Sequence, residues 1–280
     1  MKKMILTGTV LLALCAACDS DSAGPQVEIP IVVEGWIEDE DKPVVIVTKA
    51  ADIQNGSGSI DELVQRWCRI TVSDGEESEV LVMRINDNYV PPVIYTSSRL
   101  RGKVGHTYTL KVEVDDRVLT AVTTIPPVAR LDSLRVKRVE GSDSMYMLRA
   151  YGNVCPENGH YYKLFTRTNG EKRYYSSFLG LFKDDEYDPR AGWNAARGIH
   201  DTSTQGHFTP NYRINDTVQV KLCTLDADAY RFWESYEKAV SLQSNMFFIS
   251  TTACEGNIQG GKGYWAGYGT SFATVIISNQ

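Results

Sequence analysis

The sequence predicts a mainly β protein, an N-terminal immunoglobulin-like β-sandwich followed by a second β-rich domain with one or two helices. Three observations lead there. Short runs alternate apolar and polar side chains with period two, the pattern of half-buried strands. Turn-forming residues punctuate those runs roughly every ten positions. Two adjacent prolines, Pro126 and Pro127, close the first series of strands, because proline removes a ladder donor and favours extended backbone.

The first sandwich is expected over residues 28–127. Ile31–Ile37 and Pro43–Thr48 read as a hairpin around the acidic stretch Glu38-Asp39-Glu40-Asp41-Lys42, whose spacing is not that of a calcium loop, so a solvated turn is expected. A flexible loop over 54–59 leads to a strand in which Cys68 shares a face with Ile70 and Val72, where it reads as a small buried hydrophobe and a free thiol. After the turn Ser73-Asp74-Gly75, Val80–Ile85 reads as one strand. Gly105–Val114 and Val118–Thr124 form a hairpin turned by Asp115-Asp116. About seven such strands in about 100 residues fit an immunoglobulin-like sandwich.

The second domain is expected over residues 128–280. Strands are placed at Ser133–Val139, Met145–Tyr151, Tyr161–Arg167, Arg173–Phe178 and Thr217–Thr224. Residues 183–212 lack periodicity and make a long excursion holding Asp184, Asp185, Trp193, His200 and His207; irregular loops of this kind often carry function, which makes these five the candidate binding residues. A helix is expected near 227–242, with Asp226 as its cap and Tyr230, Trp233, Glu237 and Val240 on one stripe that should face the core. The glycine-rich Gly260–Gly269 then precedes an apolar strand, Phe272–Ile277.

The N-terminus carries the sharpest signal. Lys2 and Lys3 precede an apolar stretch, Ile5–Ala13, that is too short to span a bilayer, so residues 1–17 read as a signal peptide. Ala16 and Ala17 stand directly before Cys18, the pattern of lipoprotein cleavage, and Cys18 is the expected lipidation site; Cys15 would place Leu14 in the cleavage position. Residues 18–27 are then an acylated tether, small and polar, anchored by chains each of whose buried methylenes contributes about 0.8 kcal/mol. The acidic residues of the tether read either as an export signal to the outer face of an outer membrane or as plain solvated linker.

Composition and spacing exclude several chemistries. A net charge of −6 leaves no basic stripe for nucleic acid. Among Cys155, Cys223 and Cys254 a disulfide is expected without a fixed pairing, since their spacings match no zinc or redox motif. The four histidines lack zinc-hydrolase spacing, no Gly-x-Ser-x-Gly elbow is present, and the clustered Asp184–Asp188 carboxylates are too close in one loop for a glycosidase pair. The glycine-rich tail has interleaved aromatics and is followed by a strand rather than a helix, which argues for glycines opposite aromatic side chains in a bulged strand, not for a phosphate loop. No metal or cofactor is expected, and an enzyme would need an unmarked site in the 183–212 excursion.

Several segments taken together resemble a known family. Val32–Asp39 with Pro43–Thr48, Gly105–Leu110, Thr123–Val128 with Leu131–Leu134, and Asn257–Tyr268 are similar to the motifs of the lipoprotein family called domain of unknown function 4249, over residues 28 to 270; Lys262 stands where relatives usually have an apolar residue. The resemblance implies an outer-membrane lipoprotein of Bacteroidota-type bacteria, often encoded beside TonB-dependent receptors, and brings no catalytic residues with it. The expected role is a non-enzymatic binding or accessory module that engages a nutrient, a glycan or such a receptor; cell-surface adhesion is the alternative.

Overall fold

The computed structural model describes residues 29–50, 60–153, 160–186, 188–190, 192–198, 208–241 and 254–278. The signal peptide, the tether and Cys18 lie outside them, as do Cys155, His200 and His207.

The protein is mainly β. In the first half, β1 (Ile31–Glu38) and β2 (Val44–Lys49) form the expected antiparallel hairpin. A one-turn helix, α1 (Ile60–Leu63), precedes β3 (Cys68–Ser73). The single strand expected at 80–85 is two strands, β4 (Ser78–Val80) and β5 (Val82–Ile85), which lie in different sheets. Between them Leu81 donates to the Ile70 carbonyl at 2.8 Å and buries its side chain, so the chain crosses from one sheet to the other at that residue. Strand β6 (Val93–Thr96) is not announced by the pattern, being only four residues long and directly following Pro91 and Pro92. Strands β7 (Thr107–Val114) and β8 (Arg117–Thr124) form the second expected hairpin, with Asp115 at positive φ in its turn.

In the second half β9 (Arg130–Arg138) pairs with β10 (Met145–Asn153), and β11 (Tyr161–Arg167) lies between β12 (Tyr175–Lys183) and β15 (Thr217–Leu225). The excursion contributes two short strands, β13 (Trp193–Asn194) and β14 (Tyr212–Arg213), both paired to β10. Helix α2 (Ala227–Ser241) begins where expected: Asp226 accepts the Ala229 N–H at 2.8 Å through one carboxyl oxygen and the Thr123 hydroxyl at 2.7 Å through the other.

The last strand, β16 (Lys262–Ile276), changes the expected domain division. Its first half pairs in parallel with β1, from Val32↔Lys262 to Glu38↔Tyr268, and its second half pairs antiparallel with β15, from Thr224↔Gly269 to Thr217↔Ile276. One continuous eight-stranded sheet results, in the order β12-β11-β15-β16-β1-β2-β6-β5. The β4-β3-β7-β8 sheet packs on the β1 end of its inner face, and the sheet of β9, β10, β13 and β14 packs on the β15 end. Residues after 127 therefore do not all belong to the second unit. Ile258 and Trp265 lie in the first core with Ile31, Val33, Val72 and Leu110.

Glycine spacing makes this strand possible. Gly35 is paired with Trp265, and a Cβ on Gly35 would stand 2.9 Å from the indole ring. Gly263 adopts φ of 105°, and a Cβ there would come within 1.9 Å of the Val33 carbonyl oxygen. Asn257 fixes the approach by donating to the Trp265 carbonyl and accepting its N–H, both at 2.9 Å. Gly263, Gly267 and Gly269 thus lie within the strand, as expected, but they face the backbone of Val33, Thr124 and Pro126 rather than aromatic rings; the one glycine set against a tail aromatic is Gly35 of β1, opposite Trp265.

Replacing Gly263 by alanine combines a left-handed backbone with a backbone clash, and overpacking alone costs about 1–3 kcal/mol. Urea denaturation of Gly263→Ala is expected to show at least that loss, whereas Gly75→Ala, at a positive φ with nothing near its Cβ, should lose less.

Candidate functional site

Alternation along β1 sends Ile31, Val33 and Ile37 inward and leaves Val32, Glu34, Trp36 and Glu38 on the outer face of the long sheet. An outer face of a sandwich is ordinarily solvated, but here much of it is covered. On β2, Val44 and Ile46 pack outward with Trp36 and Tyr89, so that strand is buried on both faces. On the β15 side α2 lies over the sheet, with Trp233, Tyr264, Tyr268, Phe165 and Cys223 in one cluster beneath it. Between the helix and the Tyr89 loop remains a cleft of about 560 Å³. This is within the range of small-molecule sites, roughly 300–1,000 Å³.

The walls are aromatic. Phe232 of α2 stacks on Tyr264 at 4.0 Å between centroids, Trp36 faces Tyr89 at 6.0 Å, and Tyr174 contacts Phe272 at 6.0 Å. Trp233 donates its indole N–H to the Tyr268 hydroxyl at 3.1 Å, which fixes the helix to β16.

Charged groups are set among these rings. Lys221 of β15 donates to Glu38 of β1 at 2.6 Å, with both side chains about nine-tenths buried, and its ammonium lies 5.1 Å from the Phe165 ring centre and 5.2 Å from that of Tyr174. Burial opposes the charge on Lys221, but the Glu38 carboxylate outweighs it and holds the lysine above its ordinary value. Glu38 is therefore no part of a solvated acidic turn. Nearby, Lys163 is fully buried, bonds the Ser177 carbonyl at 3.2 Å and pairs with Glu237, which accounts for a carboxylate on the expected core stripe of α2. Burial pulls Lys163 below its ordinary value against the pull of Glu237.

Glu34 lines the cleft with its side chain exposed to it. It accepts a hydrogen bond from the Tyr264 hydroxyl at 3.2 Å. Loss of solvent pushes its carboxyl above the ordinary 4.5, and the Tyr264 bond and the charge of Arg173 only partly offset this. Arg173 and Lys172, which precede β12, stand at the same cleft, Arg173 with its guanidinium 4.9 Å from the Tyr175 ring centre.

Of the residues anticipated in the 183–212 excursion, Asp184, Asp185 and Trp193 do not line this cleft. Asp184, in a single 3-10 turn (Asp184–Glu186), accepts the His160 backbone N–H at 2.6 Å; Asp185 is exposed. Trp193 is 5% exposed in the second core, stacked on Phe182 at 4.5 Å, and so belongs to packing. His200 and His207 lie outside the described residues. Cys223 is buried and Cys254 half-buried, and both are free thiols, so no bridge joins those two; the third candidate, Cys155, is outside the described residues. Cys68 is free as expected, half-buried against the first core, and burial raises its thiol to about 11. Among the described residues no group of three or more His, Cys, Asp or Glu is placed to hold a metal ion, and no helix is long and apolar enough to cross a membrane.

The site was missed because its residues come from six strands and a helix far apart in the chain. Two signals pointed toward it: the unbroken apolar run Val44-Val45-Ile46-Val47, which implies burial on both faces, and Phe232 and Tyr236 beside the expected helical stripe.

The fold and the cleft together define a β protein of two sandwiches on one shared sheet, with an aromatic, charged cavity on that sheet's outer face. The chain belongs to the family described as "Domain of unknown function (DUF4249)", which matches residues 21–272. No curated protein matches it. Among solved structures, a two-domain fibronectin type III segment of chicken tenascin covers 89% of this chain and 100% of its own length, at 7% identity and a TM-score of 0.23. So weak a likeness leaves the topology to be read from the strand pairing alone.

Two outcomes are expected. Removing one partner of a buried ion pair costs about 3–5 kcal/mol, whereas replacing both by apolar groups is close to neutral; chemical denaturation of Lys221→Met, Glu38→Leu and the double variant should show strong non-additivity. For Glu34, a raised carboxyl gives stability that is complete below the unfolded value and lost as pH rises through the folded one. Because Glu34 is exposed to the cleft and solvent screens its charge, the effect should be small: Glu34→Gln should match the wild type in melting temperature at about pH 4 and exceed it slightly at neutral pH.

Proposed function

We propose that this chain is a non-enzymatic binding module of the bacterial cell envelope, held to a membrane through acylated Cys18, that captures a small ligand in the cleft between α2 and the Tyr89 loop. One observation carries the reading. A cavity of about 560 Å³ lined by aromatic rings and a few convergent charged groups sits on a sheet face that a plain sandwich would leave to water. The family resemblance adds a partner, a TonB-dependent outer-membrane receptor to which captured ligand would pass.

The anchor and the cleft make separate demands. Cys18→Ala should move the chain from the membrane fraction to the soluble fraction, and globomycin should accumulate precursor; no change under either treatment would remove the anchor from the proposal. Crosslinking in intact cells should recover a receptor with the wild-type chain. Adhesion, the alternative, needs only the sandwich surfaces and predicts that cell attachment is indifferent to Tyr89→Ala at the cleft.

A further inference from the structure

We infer that the cleft takes a zwitterionic ligand of the amino-acid or short-peptide class, its ammonium against Glu34 and its carboxylate against Arg173. The inference rests on the cleft being a binding site, and it adds what the site selects.

Two charges of opposite sign stand in the cavity without an ion-pair partner among the described residues. Glu34 has the Tyr264 hydroxyl at 3.2 Å and no cation within ion-pair distance. Arg173 is close enough for its charge to act on Glu34, yet forms no salt bridge with it and instead rests on the Tyr175 ring. Of the other charges nearby, Lys221 is engaged with Glu38, and Arg167 with Gln219 at 3.0 Å while it stacks on Tyr174 at 4.7 Å; Asp41 and Lys172 stand at the rim without a salt bridge among the described residues. Lys172 stands beside Arg173 at the same rim.

The three simpler ligand classes each leave a cost. A neutral sugar would take water from both Glu34 and Arg173 and return no opposite charge to either. A simple amine would satisfy Glu34 but crowd Arg173, and a simple carboxylate would do the reverse. A molecule bearing both groups pairs each, and its apolar side chain meets Trp36, Tyr89 and Phe232, whose ring faces also favour a cation. The tyrosines Tyr236 and Tyr264 and the rim carboxylate Asp41 complete the groups around the charged end of the cleft.

Titration calorimetry on the full chain tests this with phenylalanyl-alanine, its N-acetyl form, its C-terminal amide, and maltotriose. The free dipeptide should bind. Acetylation should weaken it about tenfold or more, as loss of one partner of a charged pair does. Glu34→Gln, which keeps an oxygen for Tyr264, should weaken the free dipeptide by a similar factor and leave the acetylated one unchanged, and Arg173→Gln should behave likewise toward the amide. Equal binding of free and blocked dipeptides overturns the assignment. Binding of maltotriose alone, lost in Tyr89→Ala, overturns it while keeping the cleft as a binding site. Binding of neither removes both.

Discussion

Everything in this molecule depends on how β16 is shared. Its first half completes the first sandwich beside β1 and its second half completes the second beside β15, without a break between Tyr268 and Gly269. Side-chain alternation then does two jobs along one strand: Trp265 enters the first core, donating its indole N–H to the Tyr108 carbonyl at 3.0 Å, while Tyr264, Ala266 and Tyr268 point the other way, under α2. Two separate sandwiches would each present an outer face to water. One continuous sheet with a helix across part of it leaves a concave remainder, and the cleft is that remainder.

The buried charges follow from the same arrangement. Lys163 and Lys221 stand on the α2 side of β11 and β15, and it is the approach of β1 that removes Lys221 from solvent. Joining β1 to the sheet brings Glu38 against Lys221, and docking α2 brings Glu237 against Lys163. Buried pairs of this kind add little net stability over an apolar core, but they penalise any arrangement that leaves one member alone. The Glu38–Lys221 pair thus specifies how the two halves join, and the Lys163–Glu237 pair how α2 seats on the sheet, more than how strongly either does. Thr123 has a parallel role in neutral form, accepting the Gly267 N–H at 2.7 Å while donating to the Asp226 cap.

What could be read from the sequence was local. The hairpins around Glu38–Lys42 and Asp115-Asp116, the cap at Asp226, the free Cys68 and the mainly β class all rest on neighbours within a few residues, where period-two alternation and turn chemistry act directly. What could not be read was long-range. Nothing near Leu81 marks a change of sheet, since both possible partners satisfy the same alternation. Gly260–Gly269 could be read as a bulged strand, but nothing in it names β1 as its partner, because the reason for the glycines lies at Val33 and Gly35. Trp193 and Asp184 looked like binding residues because their segment lacks periodicity, yet one packs in a core and the other holds a backbone N–H. The cleft residues, in contrast, sit in strands regular enough to be read as ordinary sheet.

Shared strands also order events in time. Glu34 and Tyr264 are separated by 230 residues, and the ladder between their strands cannot form until β16 is present. Loop closure on this scale is slow, and the first half emerges with the β1 edge that faces β16 unpaired and its core short of Trp265. A chain of this design commits to its fold only once β16 has arrived, so a product lacking it exposes an open sheet edge of the kind that holdase chaperones and proteases recognise.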